Sequence, residues 1–91
     1  MATIVVQFKI DGEGVARGLE EARDKLDSAG PKMVLDFSAV DRIDAAGLRA
    51  LEDLTARADD KRVKLVLRGA SIDMYKVLKL MKLAARFSFS N

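Results

Sequence analysis

The spacing of apolar side chains changes several times along the chain. Residues 3–10 (TIVVQFKI) are β-branched and aromatic and predict a strand. Asp11-Gly12-Glu13-Gly14 ends it in a turn. Over residues 15–29, Val15, Leu19, Ala22 and Leu26 recur at spacings of three and four, one face of an amphipathic helix. Gly30-Pro31 stops that helix. Residues 32–37 (KMVLDF) form a short, nearly continuous apolar run that suits a buried central strand. Residues 38–44 (SAVDRID) read as a loop, and Asp44 is placed to cap the free amides of a second helix. That helix, over residues 45–60, is expected to bury Leu48, Leu51, Leu54 and Ala58 and to expose Arg49, Glu52, Asp53 and Arg57. Residues 63–68 (VKLVLR) predict a third strand, Gly69-Ala70 a turn, and Ser71 the cap of a third helix ending near Leu83. Phe87 and Phe89, two apart, predict a last short strand within residues 84–90.

The order β-α-β-α-β-α-β implies an α/β fold: one domain over residues 1–91 with a mostly parallel four-stranded sheet joined by right-handed crossovers. About three helices must cover the sheet, since parallel sheets are buried. Sites in such sheets gather at the carboxyl ends of the strands, which singles out the loop over residues 38–44.

Composition narrows the chemistry. The 91 residues are 49% hydrophobic and 33% charged, ordinary for a globular domain. The net charge is only +2 and the signs alternate, so nucleic acid is not an expected partner. No window is apolar for the length of a membrane span, and the first residues lack the basic region and cleavage site of a signal peptide, which points to the cytoplasm. Cysteine and histidine are both absent. Thiol chemistry, thiolate metal sites and the commonest general acid-base group are therefore unavailable. No nucleophile stands beside a base, so a non-enzymatic protein without cofactor or metal is expected.

Asp36, Asp41 and Asp44 gather near one strand end. They could hold Mg²⁺, or Asp36 could accept a phosphoryl group, but the acidic pair a receiver domain needs after its first strand is missing. Asp36 and Asp44 are instead expected to satisfy loop and helix amides, with Asp41 solvated. Met74, Val77, Leu78, Leu80 and Met81 form an apolar arc expected to face the sheet. Lys76, Lys79, Lys82 and Arg86 form a basic stripe, either a solvated face or one that meets an acidic partner or anionic headgroups. Ser38 is expected to bond within its loop and Thr55 to be structural.

Residues 34–51, VLDFSAVDRIDAAGLRAL, resemble the signature of the STAS family, the domain of anti-sigma factor antagonists and of sulfate-transporter tails. Leu35-Asp36-Phe37-Ser38 matches the strand end, Val40-Asp41 and Ile43-Asp44 the loop, and Gly47-Leu48 with Leu51 the helix start. Residues 63–67, Gly69 and Val77-Leu78-Lys79-Leu80 match the later strand and helix. Two departures stand out. The family commonly opens with a two-stranded hairpin, whereas this chain has room for one strand, whose exposed edge could pair with a second copy as a homodimer. The motif's Ser-Ser is Ala45-Ala46 here. The resemblance implies a protein-binding module that docks its partner through Ser38, Asp41, Arg42, Asp44, Ala45, Ala46, Gly47 and Arg49. Gly47 would let the partner approach closely. The implied partner is an anti-sigma factor with an ATPase or kinase fold. The alternative is an accessory subunit of a bacterial ABC-type lipid transporter, with the transporter ATPase as partner. In the antagonists the first serine is the phosphorylation switch, and Ala45 has no hydroxyl to carry it.

Overall fold

Strands and helices alternate along the chain, in a computed structural model that describes residues 6–28 and 30–90. The strands are β1 (Val6–Lys9), β2 (Lys32–Asp36), β3 (Lys64–Arg68) and β4 (Ser88–Ser90); the helices are α1 (Val15–Asp24), α2 (Ala45–Lys61) and α3 (Ile72–Leu80). The predicted first strand and first helix reach into residues 3–5 and 29, which lie outside the described residues. The sheet order is β1-β2-β3-β4 and every pairing is parallel. β1 and β4 are the two edges.

Sequence order and sheet order coincide, so every crossover runs in the same direction. Right-handed connections then place all three helices on one face. Met33, Leu35, Leu65 and Leu67 point to that face and share one core with Val15, Leu19 and Ala22 of α1, Leu51, Leu54 and Ala58 of α2, and Met74 and Leu78 of α3. The expectation that helices cover the sheet holds for that face. The alternate positions point the other way, and Gln7, Lys32, Val34, Lys64, Val66, Arg68, Ser88 and Ser90 line a shallow groove on the uncovered face.

Several boundaries differ from the sequence reading. α1 stops at Asp24, and a 3₁₀ turn (Leu26–Ser28) carries Leu26 into the core. α3 stops at Leu80 instead of Leu83: Lys82 takes a positive φ of 60° and the amide of Leu83 turns back to the carbonyl of Leu78. The arc expected to face the sheet is only partly buried. Met74 and Leu78 are buried and Val77 half-buried, but Leu80 and Met81 project into solvent. Leu48 is half-buried, while Gly47 and Thr55 are buried. The Thr55 hydroxyl donates to the Glu52 carbonyl at 2.7 Å, so its burial leaves no polar atom unpaired.

Asp53, expected to be exposed, is half-buried because Arg23 of α1 donates to it at 2.7 Å. The Arg23 hydrogen bond, with the nearby charges of Arg23 and Arg57, holds the Asp53 carboxyl below its ordinary value of 3.8. A depressed folded-state value means that this contribution is complete above the unfolded value and fades as pH falls through the folded one. The small stability difference between the wild type and Arg23→Ala, measured as urea midpoints, should therefore shrink on acidification below the usual aspartate range. Lys61 pairs with Asp27 and Arg86 with Asp59, tying the 3₁₀ turn Leu26–Ser28 and a second one, Ala84–Arg86, to the C-terminal half of α2.

Candidate partner-binding site

The loop between β2 and α2 is anchored by every third side chain. Phe37 and Val40 are buried and Ile43 is half-buried, while Ser38, Ala39, Asp41, Arg42 and Asp44 face solvent. The amide of Phe37 donates to the Arg68 carbonyl at 2.8 Å, and that of Val40 to the Phe37 carbonyl at 2.9 Å. The loop is thus preformed by its own apolar residues and backbone bonds.

The carboxylates are divided among local tasks. Asp36 accepts from the amide of Ser38 at 2.9 Å. Hydrogen bonds from the Ser38 side chain and backbone, then the charges of Arg68 and Lys9, hold Asp36 below the ordinary carboxylate range. Lys9 and Arg68 are its register partners on either side. Asp44 has an extended backbone and accepts from the amide of Gly47 at 2.8 Å, the cap expected of it. Asp44→Ala should cost about 1 kcal/mol in a urea titration, since it frees one amide at the start of α2. Asp41 is exposed, and its backbone carbonyl accepts from the Ser71 hydroxyl at 3.3 Å. Ser71 also accepts from the amide of Met74 at 3.1 Å, so one hydroxyl caps α3 and ties its start to the loop.

Two glycines let the neighbouring connections approach. A Cβ on Gly12 would lie 2.5 Å from the carbonyl oxygen of Ala39, so the turn after β1 rests directly on the loop. Gly69 combines a φ of +72° with a site where a Cβ would lie 3.0 Å from that of Ser38. All three strand-to-helix connections therefore meet at the carboxyl ends of the strands. Two open grooves separate them. One, of about 430 Å³, lies between the loop and α3 and is lined by Asp41, Arg42, Ile43, Asp73, Met74, Lys76 and Val77. The other, of about 530 Å³, lies between the first turn and the loop, with Gly12, Glu13, Arg17, Arg42 and Asp44 among its walls.

Of the expected docking residues, Ser38, Asp41, Arg42, Asp44, Ala45, Ala46 and Arg49 are exposed. Arg42 lies between the two grooves, whereas Ser38 sits apart over Gly69. Arg49 and Ala46 line a third groove, between α1 and α2, with Glu20, Arg23 and Asp53. Gly47 requires a correction. It is buried, and a Cβ there would lie 2.7 Å from Cγ1 of Ile43 and 3.2 Å from Cγ1 of Val15. Its missing side chain makes room for the domain's own packing, not for a partner. Gly12, Asp73, Lys76 and Val77 enter the site without having been read as part of it. Only the Gly-x-Gly turn gave any local signal; the α3 residues arrive through the crossover.

Solvent-facing loops converging over a parallel sheet make this an α/β domain with a loop-built surface site. The STAS domain model matches residues 3–91, and the chain belongs to that family. STAS domains are typically non-catalytic modules that mediate protein–protein interactions. The fold is shared with a sulfate transporter family protein from Wolinella succinogenes (24% identity, TM-score 0.76, covering 96% of this chain and 80% of that one). It is shared too with a putative anti-sigma factor antagonist from Thermotoga maritima (17%, 0.72, 93% and 73%). A third similar structure is the phosphorylated form of the Bacillus cell fate determinant SpoIIAA (15%, 0.65, 100% and 87%). At these identities the likeness is one of fold. Comparison with curated proteins finds no match.

Proposed function

We propose that this domain is a non-enzymatic protein-binding module of the anti-sigma factor antagonist type, acting in bacterial cytoplasmic signal transduction. Its partner, an anti-sigma factor with an ATPase or kinase fold, docks on residues 38–44 and the first turn of α2. The observation that carries this reading is the exposure of Ala45 and Ala46 beside a capped, preformed loop. The loop is held in place by buried Phe37 and Val40 and by its own backbone hydrogen bonds, so little ordering entropy opposes the complex. Ala45 stands where the family's switch serine would be. A phosphate there would add about −1.5 to −2 charges to the docking surface. Without a hydroxyl that switch is lost, and the domain stays binding-competent. The local use of Asp36 to hold the loop turn and of Asp44 and Ser71 as helix caps supports a binding role over a catalytic one.

The test is Ala45→Glu. A carboxylate in the first turn of α2 suits the helix dipole, so the melting temperature should hold or rise slightly. Partner affinity should fall at least about tenfold, as expected for an unpaired charge in an interface. A pull-down from the source organism with both proteins reads this directly. An anti-sigma factor held by the wild type and lost from the variant is the expected result. Equal capture by both would place docking elsewhere, and capture of an ABC transporter ATPase through the same surface would replace the anti-sigma assignment.

A further inference from the structure

Five large apolar side chains stand well exposed among the described residues: Ile72 (75%), Tyr75 (40%), Leu80 (82%), Met81 (47%) and Phe89 (41%). All belong to α3, its C-cap and β4. Ile72, Tyr75, Leu80 and Phe89 form one surface, while Met81 lines a neighbouring groove against Glu52, Thr55 and Ala56 of α2. Ile72, Lys76 and Leu80 follow one i,i+4 ridge of α3, and Tyr75 and Lys79 the adjacent one. The Phe89 ring lies against Tyr75 with centroids 5.0 Å apart. Exposed Lys76, Lys79 and Lys82 are interleaved with these side chains, and the ion pairs among the described residues do not involve them. Arg86, the fourth cation of the stripe, is taken by Asp59. Asp73, in the first turn, is the one carboxylate on α3.

We propose that this face docks on an anionic phospholipid bilayer, α3 lying in the plane of the headgroups. Tyrosine and methionine suit a protein interface, but lysine is depleted from interface cores. Burying this ridge against a protein would strip water from ammonium groups that alternate with the apolar side chains. At a bilayer the same alternation is favourable. Ile72 and Leu80 enter the headgroup boundary, the lysine stems lie along them, and the ammonium groups reach the phosphates. Tyr75 fits the same level, with an apolar ring and a polar tip. No helix among the described residues is long and apolar enough to cross a membrane, in keeping with a surface contact. Around the β4 edge, Lys64 and Arg68 on the uncovered sheet face extend the positive field. At the opposite edge α1, which packs on β1, sets Arg17 and Arg23 against Glu20, Glu21 and Asp24 and is close to neutral, so the positive charge of α3 and Lys82 gives the domain its preferred side.

The test is sedimentation of the full chain with vesicles of phosphatidylcholine alone and of phosphatidylcholine and phosphatidylglycerol in equal parts. Binding is expected only to the mixed vesicles and should weaken with salt. Reversing Lys76, Lys79 and Lys82 to glutamate should lower the partition coefficient about a hundredfold. Ile72→Gln and Leu80→Gln should each lower it about tenfold. Both residues are exposed, so circular dichroism and melting temperature should match the wild type. Tyr75 is the only tyrosine and there is no tryptophan, so tyrosine emission reports on this face alone. Mixed vesicles should shield it from acrylamide, and soluble glycerol phosphate should not. Ala45→Glu should bind vesicles like the wild type, which separates this surface from the docking face around Ala45. No sedimentation with mixed vesicles at low salt would overturn the proposal. So would binding indifferent to these substitutions, shielding by glycerol phosphate equal to that by vesicles, or a protein partner lost from Leu80→Gln without any vesicle binding.

Discussion

Gly47→Arg should unfold this domain instead of merely blocking its partner. Gly47 is buried in the first turn of α2, under the loop that precedes it and against Val15 of α1. A first side-chain carbon already lies 2.7 Å from Ile43 and 3.2 Å from both Val15 and the capping oxygen of Asp44. Overpacking alone costs about 1–3 kcal/mol. A guanidinium forced into the seam without a partner adds several more, unless α2 pulls away. For a domain of 91 residues the whole folding free energy is about 5–13 kcal/mol. The expected result is a melting temperature lowered by well over ten degrees or loss of the cooperative transition, read by circular dichroism. A second pair of variants isolates the cause. Gly47→Ala gains helix propensity but meets Ile43, whereas Gly47→Ala combined with Ile43→Ala removes the clash. The double variant should be more stable than the sum of the single effects. A well-folded Gly47→Arg protein would mean that Gly47 faces outward after all.

Phe37→Ala should be the most damaging truncation near the site, costing about 3–5 kcal/mol in a urea titration. Phe37 is fully buried at the end of β2, and its backbone holds both β3 and the loop. Removing the ring leaves a cavity beneath residues 38–44, and the loop loses the floor that sets its shape. Phe37→Leu keeps most of the apolar volume and should recover much of the loss. Partner affinity should fall more in Phe37→Ala than the change in folded fraction explains, because an unsupported loop must be ordered on binding. Affinity that tracks only the folded fraction would show that the loop holds its shape without this anchor.

The element order and the sheet class were legible from local pattern. The apolar face of residues 15–26, the run MVL in β2 and the run LVL in β3 each carry their own period. The caps were legible too, since Asp44 and Ser71 stand directly before their helices and accept from amides three residues on. The end of α3 was not. Leu80 and Met81 continue an apolar pattern, but Leu80 falls on the exposed ridge of Ile72 and Lys76, and the reversal at Lys82, which returns Leu83 to Leu78, ends the helix before Met81. Arg86 read as part of a free basic stripe until the fold placed it against Asp59, 27 residues away.

The family signature around Ala45 needed nothing beyond the chain itself. An apolar strand, a loop anchored at every third residue and a capped helix are all short-range patterns, and Ala45 lacks a hydroxyl in any conformation. Tertiary structure decided what those residues face. Gly47 looks like an open approach in sequence and is a packing position in space, because Val15 arrives from a helix 32 positions earlier. The grooves beside Arg42 exist only because three right-handed crossovers bring the turn after β1 and the start of α3 to the same loop. The same handedness leaves one sheet face uncovered. Local sequence sets period and caps through neighbours a few residues apart; which side chain meets solvent depends on segments that only the crossovers bring together.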